Sequence, residues 1–180
     1  PDNYIRLRDK EIISIGNYQW EVVVGSGHCP EHVCLYSKEL NLLISGDQVL
    51  PKISSNVSVF PTEPLSNPLE DWLESCHNIK NRIPNDVLVL PSHNEPFRGL
   101  HQRLDNLIDG HERNLDRLLD LCNEPKRAVD VFSVLFKRTI SEDVLLMATG
   151  ESIAHLNCLL MRNLIKAHKD KSGVIFYQKT

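Results

Sequence analysis

Three short segments place a side chain that can bind a metal directly after an apolar run. Gly27-His28 follows WEVVVGS, Gly46-Asp47 follows NLLIS, and Ser92-His93 follows DVLVLP. Loops at strand ends are held rigidly by the scaffold beneath them, so such positions suit ligand chemistry. Two histidines and one aspartate presented this way can converge on a divalent ion. Imidazole suits Zn or Fe, and a carboxylate can bridge two ions. Each residue also has an ordinary reading. His28 can be a plain loop histidine, Asp47 a turn residue in good S-G-D turn chemistry, and His93 a helix cap. With eight histidines in 180 residues, spacing alone leaves both readings open.

The neighbours divide in the same way. His32, four residues after His28, either orients a ligand or contacts substrate, or sits at a strand edge. Cys29 lies beside His28 and reads more readily as an inert buried thiol than as a nucleophile. Glu95 and Arg98 follow His93 and can line a pocket. Helix N-terminus chemistry explains Glu95 equally well. His101, Arg103, His111 and Arg113 fall on the polar side of a long helical pattern, where a solvated face is the default. His155 reads as structural.

Positioning these residues requires strands at 20–24, 32–37, 41–45 and 86–90. Residues 47–67 carry several Pro, Ser and Asn and read as a long loop, an uncommon feature that is often functional. Apolar residues at 69, 72, 73, 76 and 79 predict a helix over 68–83, with Pro68 in its first turn. A long amphipathic helix is expected over 98–122, weakened by Gly110. Beyond it, a helix from Pro125 turns Ala128, Val129, Val131, Phe132, Leu135 and Phe136 inward. Another runs from Ser141 toward Ala167, followed by a turn at 169–172 and a short strand over 173–178.

Apolar residues make up 41% of the chain and charged residues 24%, the balance of a globular protein rather than a disordered or fibrous one. No run approaches ~18 consecutive apolar residues, so no membrane span is expected, and no apolar leader opens the sequence. Residues 1–122 carry 11 basic and 18 acidic side chains, whereas 123–180 carry 9 and 6. That shift marks a boundary near 122, and the tail's positive excess is too small to argue for nucleic-acid binding. Five cysteines without C-x-x-C spacing argue against a disulfide framework or a zinc ribbon, and suit a reducing, cytoplasmic compartment.

GSGHCPEHVCLYSKELNLLISGDQVLP and VLPSHNEPFRGLHQRLDNLIDGHERNLDRLL resemble the metallo-β-lactamase superfamily in its glyoxalase-II-like hydrolase branch. That family carries G-H-S/T-P-x-H, then a strand ending S-G-D, then a strand ending P-x-H, and all three occur here in order. Cys29 stands where the family usually has Ser or Thr. The resemblance implies that His28 serves a first metal, His93 a second, and Asp47 bridges both, with a bridging hydroxide as nucleophile. The implied ions are Zn, with Fe or Mn as alternatives. The implied substrate is a thioester, an ester or a phosphodiester.

The family's H-x-H-x-D-H signature is absent from the chain, which begins with Pro rather than Met. The resemblance therefore implies an α+β fold comprising the C-terminal half of an αββα sandwich over 1–122. Such a fragment is expected to be inactive without its N-terminal half. Half a sandwich also exposes apolar sheet, which favours self-association. The tail, 123–180, is similar to the small winged-helix-like domain that follows the lactamase domain in one branch. An alternative function is a non-enzymatic nucleic-acid-binding or protein-interaction module built on that tail.

Overall fold

A computed structural model describes residues 4–180. It divides into two compact units. The first holds the chain up to Ser55 together with Trp72–Leu107, and the second holds Asn56–Asp71 with Ile108–Thr180. The division differs from the linear reading at 122 by assigning residues 56–71 and 108–122 to the second unit.

The first unit is built on a five-stranded sheet in the order β1 (Ile12–Ile15), β2 (Tyr18–Gly25), β3 (His32–Ser37), β4 (Leu42–Gly46) and β5 (Leu88–Pro91). The first four strands pair antiparallel, and β5 pairs parallel to β4. Strand β1 is an edge strand that its weak apolar pattern, IISI, did not announce. The middle strands are rich in apolar residues on both faces, the composition of a sheet meant to be covered on both. One face carries Val23, Cys34, Leu43 and Val89, all at 0–1% exposure. On the other, Val24 pairs with Val33, Leu35 with Ile44, and Ile44 with Leu90. Val33 and Ile44 remain 38% exposed there.

Helix α1 (Pro68–Arg82) follows the expected pattern. Within the first unit it buries Trp72, Leu73, Cys76 and Ile79 on one stripe. Full burial of such side chains stabilises by roughly 1.5–3 kcal/mol each. Lys80 and Arg82 in its last turn complement the helix dipole. Arg82 also reaches the sheet, donating to Asp9 at 2.8 Å and Glu21 at 2.6 Å. Helix α2 (Leu100–Leu121) runs unbroken through Gly110, where a side chain would meet open space. Within the first unit, its Asp105 pairs with Lys80 at 2.5 Å.

The second unit corrects the reading of the tail. The helix expected from Pro125 is two short turns, a 3-10 turn at Ala128–Val131 and α3 (Phe132–Leu135). Val129 is 43% exposed rather than inward. Helix α4 (Leu145–Met161) stops six residues before Ala167. Asn163, at φ 59°, takes the left-handed conformation that ends helices, which Asn tolerates better than most residues. Ile165–Lys169 is then strand β6, paired antiparallel with β7 (Ile175–Lys179). Arg162, just past α4, donates to Glu70 and both oxygens of Glu112 at 2.9 Å. Glu142–Met161 is long and apolar enough to cross a membrane, with a mean hydropathy of 1.4, although no run of 18 apolar residues announced it. Half of that stretch is buried, as in the core helix of a folded unit.

Candidate functional site

The ends of β2, β4 and β5 bring His28, Asp47 and His93 together in the first unit. His28 Nε2 lies 3.9 Å from Asp47 Oδ2, and His93 Nε2 lies 3.3 Å from Asp47 Oδ1. The carboxylate thus faces one imidazole on each oxygen. All three side chains are partly open to solvent, at 30%, 34% and 63% for His28, Asp47 and His93.

Asp47 is fixed along its whole length. Its N–H donates to His32 Nε2 at 3.1 Å. Its carbonyl accepts from the Ser55 hydroxyl. Its Oδ1 accepts from Ser92 Oγ at 2.6 Å. Just before it, Gly46 has φ 53°, and a side chain at that position would come within 2.6 Å of the His32 ring. Glycine is required there twice over, by backbone conformation and by the close approach of the imidazole. The Gly46 carbonyl also accepts from Ser92 N at 3.1 Å, tying the second loop to the third. Gln48, fully buried, lies under the first loop and donates to the Ser26 carbonyl at 3.3 Å. The first loop is held by helix α1, where Ser75 Oγ accepts from Ser26 N at 2.8 Å.

His32 is therefore a positioning residue. Its Nε2 lone pair accepts the Asp47 amide, so the ring proton sits on Nδ1, 3.8 Å from Cys34 Sγ. The Cys34 thiol in turn donates to the Ser45 carbonyl at 3.4 Å. Burial, with the neighbouring His28 as a smaller cause, lowers the His32 pKa and keeps the ring neutral, as an acceptor must be.

The remaining candidates separate. Burial raises the Cys29 pKa, which disfavours the thiolate a nucleophile needs. Glu95 lies on an exposed loop. Arg98 is not brought to the site. The chain folds back so that Phe97 bridges Val89, and Arg98 donates to the Asp86 carbonyl at the opposite end of β5. Of the helix face expected to be solvated, Arg113 is exposed, whereas the other three residues are engaged or buried. Arg103 donates to the carbonyls of Leu50 and Ile53 at 2.6 and 2.8 Å, and His101 Nε2 lies 2.7 Å from the Ile83 carbonyl. His111 is buried in the second unit. Sequence reasoning missed Ser55 and Ser92 as clamps, because a serine in a polar loop carries no periodic signal.

The donor set fits a divalent metal at the level of pairs. Two ligand atoms on one tetrahedral zinc, with bonds of ~2.0–2.1 Å, lie roughly 3.3 Å apart. The His93–Asp47 pair matches that spacing, and the His28–Asp47 pair is wider. Among the described residues no three His, Cys, Asp or Glu side chains close on one point. Each Asp47 oxygen and the imidazole that faces it make two donors, one fewer than a catalytic zinc site takes from protein.

Residues 115–180 match the family described as metallo-beta-lactamase-like, C-terminal domain. The whole chain is similar to a beta-lactamase domain protein from Burkholderia ambifaria, with 40% identity and a TM-score of 0.95, covering 53% of that chain. It is similar over 100% of its length to a metallo-beta-lactamase family protein from Thermus thermophilus, with 27% identity and a TM-score of 0.86, covering 56% of that chain. Over 93 residues it is 30% identical to an acyl-coenzyme A thioesterase of Gallus gallus, covering 51% of this chain and 31% of that protein. The chain thus spans about half the length of the two solved relatives and about a third of the curated one. These likenesses support an α+β fold of the metallo-β-lactamase-like type.

Proposed function

We propose that this chain carries one half of a two-metal site in a hydrolase that cleaves thioesters, acyl-coenzyme A being the substrate class the thioesterase likeness favours. The observation that carries the reading is the Asp47 carboxylate, faced by His28 on one oxygen and His93 on the other. In this reading His28, Asp47 and His93 would hold the divalent ions, and zinc is the ion that imidazole and carboxylate donors suit best. Bound divalent ions supply a nucleophile from water near neutral pH and polarise a carbonyl oxygen. The chain's own part is to hold the carboxylate still. His32, Ser55 and Ser92 fix Asp47 at its amide, its carbonyl and its side chain.

The missing donors come, in this proposal, from a second β-layer laid on the open sheet face of Val24, Val33, Leu35, Ile44 and Leu90. The absence of an H-x-H-x-D-H segment and the half-length match to the solved relatives support this. The five free thiols suit a reducing compartment. The test is hydrolysis of an acyl-coenzyme A thioester, an aryl ester and a phosphodiester by the zinc-loaded chain. It is run alone and with the second layer supplied as the half of the Burkholderia ambifaria relative that this chain does not match. We expect thioester cleavage to rise at least about 100-fold with that half present and to vanish in Asp47→Ala. Cleavage unaffected by Asp47→Ala would refute the assignment.

A second reading draws on the tail. Lys166, Lys169, Lys171 and Lys179 are exposed on the β6–β7 hairpin, and the ion pairs seen among the described residues involve none of them. Two helices followed by a hairpin is the order of a winged helix, and lysines can neutralise phosphates. A gel shift at low salt that shows no retarded nucleic acid would remove this reading.

A further inference from the structure

The second unit holds an apolar cleft that the proposed metal chemistry does not use. It has a volume of about 610 Å³, within the range of small-molecule sites, and lies between the loop after Asn56 and the first turns of α4. Its walls are Val59, Phe60, Pro61, Leu146, Met147 and Ile153. The loop approaches the helix closely because α4 has a glycine there. Val59 N donates to the Gly150 carbonyl at 3.1 Å, and a side chain at 150 would meet Val59 O and Ser58 Cβ at 3.0 Å.

Most side-chain polar atoms lining the cleft are already engaged, and Asp143 is the charged residue in its lining. Asn56 Nδ2 donates to Glu151 at 3.1 Å, and Asn56 Oδ1 accepts from Ser58 Oγ at 2.7 Å. Thr149 Oγ1 donates to the Leu145 carbonyl at 2.8 Å, and Asp143 accepts from Ser141. An extended peptide or a nucleotide seated here would exchange its water for walls with few free partners, which is costly. A hydrocarbon chain loses nothing by the same exchange and gains by leaving water. Leu146 and Phe60 at the rim are 79% and 57% exposed, so apolar surface is available at the entrance.

We infer that this cleft binds the aliphatic chain of an acyl thioester substrate, an inference that rests on the thioester reading above. The test is calorimetric titration of the full 180-residue chain with dodecanoate below its micellar concentration. Decanoate, butanoate and the non-hydrolysable thioether of dodecyl-coenzyme A complete the series. Affinity should rise up to about fourfold for each methylene buried, and butanoate should not bind measurably. Leu146→Lys, at an exposed position that should not disturb folding, should weaken dodecanoate at least about tenfold, and Ile153→Trp should fill the cleft and do the same. The thioether should compete with dodecanoate.

His28→Ala and Asp47→Ala should leave dodecanoate binding intact. A parent chain that holds no zinc yet binds dodecanoate therefore counts against the metal reading alone. No saturable dodecanoate binding by a chain that holds zinc overturns the cleft alone. Binding indifferent to both cleft variants also overturns it. So does dimerisation abolished by Leu146→Lys, which would make the cleft an interface between copies. A thioether that binds without displacing dodecanoate overturns the assignment to a thioester.

Discussion

Asp47 is held by contacts that the sequence shows only in part. S-G-D after a strand, with G-H and P-x-H elsewhere, was enough to single out Asp47, His28 and His93. The role of His32 was open, because a histidine at a strand edge looks the same whether its lone pair faces solvent or an amide. The structure gives that lone pair to Asp47 N–H, and Gly46 leaves room for the ring. Gly46→Ala should therefore push the two apart and strain the backbone, costing about 1–3 kcal/mol. His32→Phe removes the acceptor while keeping a ring, and should lower zinc affinity about 10–100-fold with little change in far-ultraviolet circular dichroism. Metal titrations of the two variants check this. Unchanged affinity in His32→Phe would show that the Asp47 amide needs no such support.

At the scale of elements, the strongly apolar runs were legible and the tail was not. DVLVL and the 3.6-residue stripe of α1 depend on burial alone, which periodicity reports. The end of α4 depends on one residue, Asn163, and on β6 finding β7, a tertiary pairing that no local signal carries. The same holds for the contact of α2 with α4 in the second unit. His155 Nδ1 donates to the Glu151 carbonyl at 2.9 Å, so its Nε2 accepts from His111 Nδ1 at 3.1 Å. The rings stack with centroids 5.2 Å apart. Burial pushes His111 down to about 3 and His155 down to about 4, so both are neutral in the fold. Unfolded histidine takes a proton near 6.5. Their stabilising contribution is complete above that pH and is lost as pH falls from 6.5 toward 4, by up to about 1.4 kcal/mol per pH unit for each ring.

Glu151 acts in the opposite direction. Burial raises its pKa to about 7, against an ordinary value of 4.5. The fold therefore loses stability as pH rises from 4.5 through 7. Glu151→Gln keeps an acceptor for Asn56 without the buried charge. It should raise the melting temperature at pH 8, by roughly 2–4 °C per kcal/mol recovered, and leave it nearly unchanged at pH 4. Thermal melts at the two pH values check this, and an equal shift at both would contradict the assigned cause.

At the scale of the whole molecule, the sheet carries the same message as the site. Its strands are apolar on both faces, and the face of Val33 and Ile44 is only half covered. A sheet of this composition calls for a second layer. Without one, the chain should self-associate at high concentration, and Ile44→Lys should return it to a monomer in sedimentation velocity. A parent chain that sediments as a monomer throughout would argue against the open face.

The most direct test of the central claim is zinc binding by the parent chain and three variants, read by mass spectrometry of the bound metal and by titration. With one imidazole and one carboxylate oxygen for each ion, the parent should bind weakly at two positions. His28→Ala and His93→Ala should each remove one of them, and Asp47→Ala should remove both. Zinc retained in full by Asp47→Ala would contradict the account, because no ion would then depend on the carboxylate that the rest of the loop is built to hold.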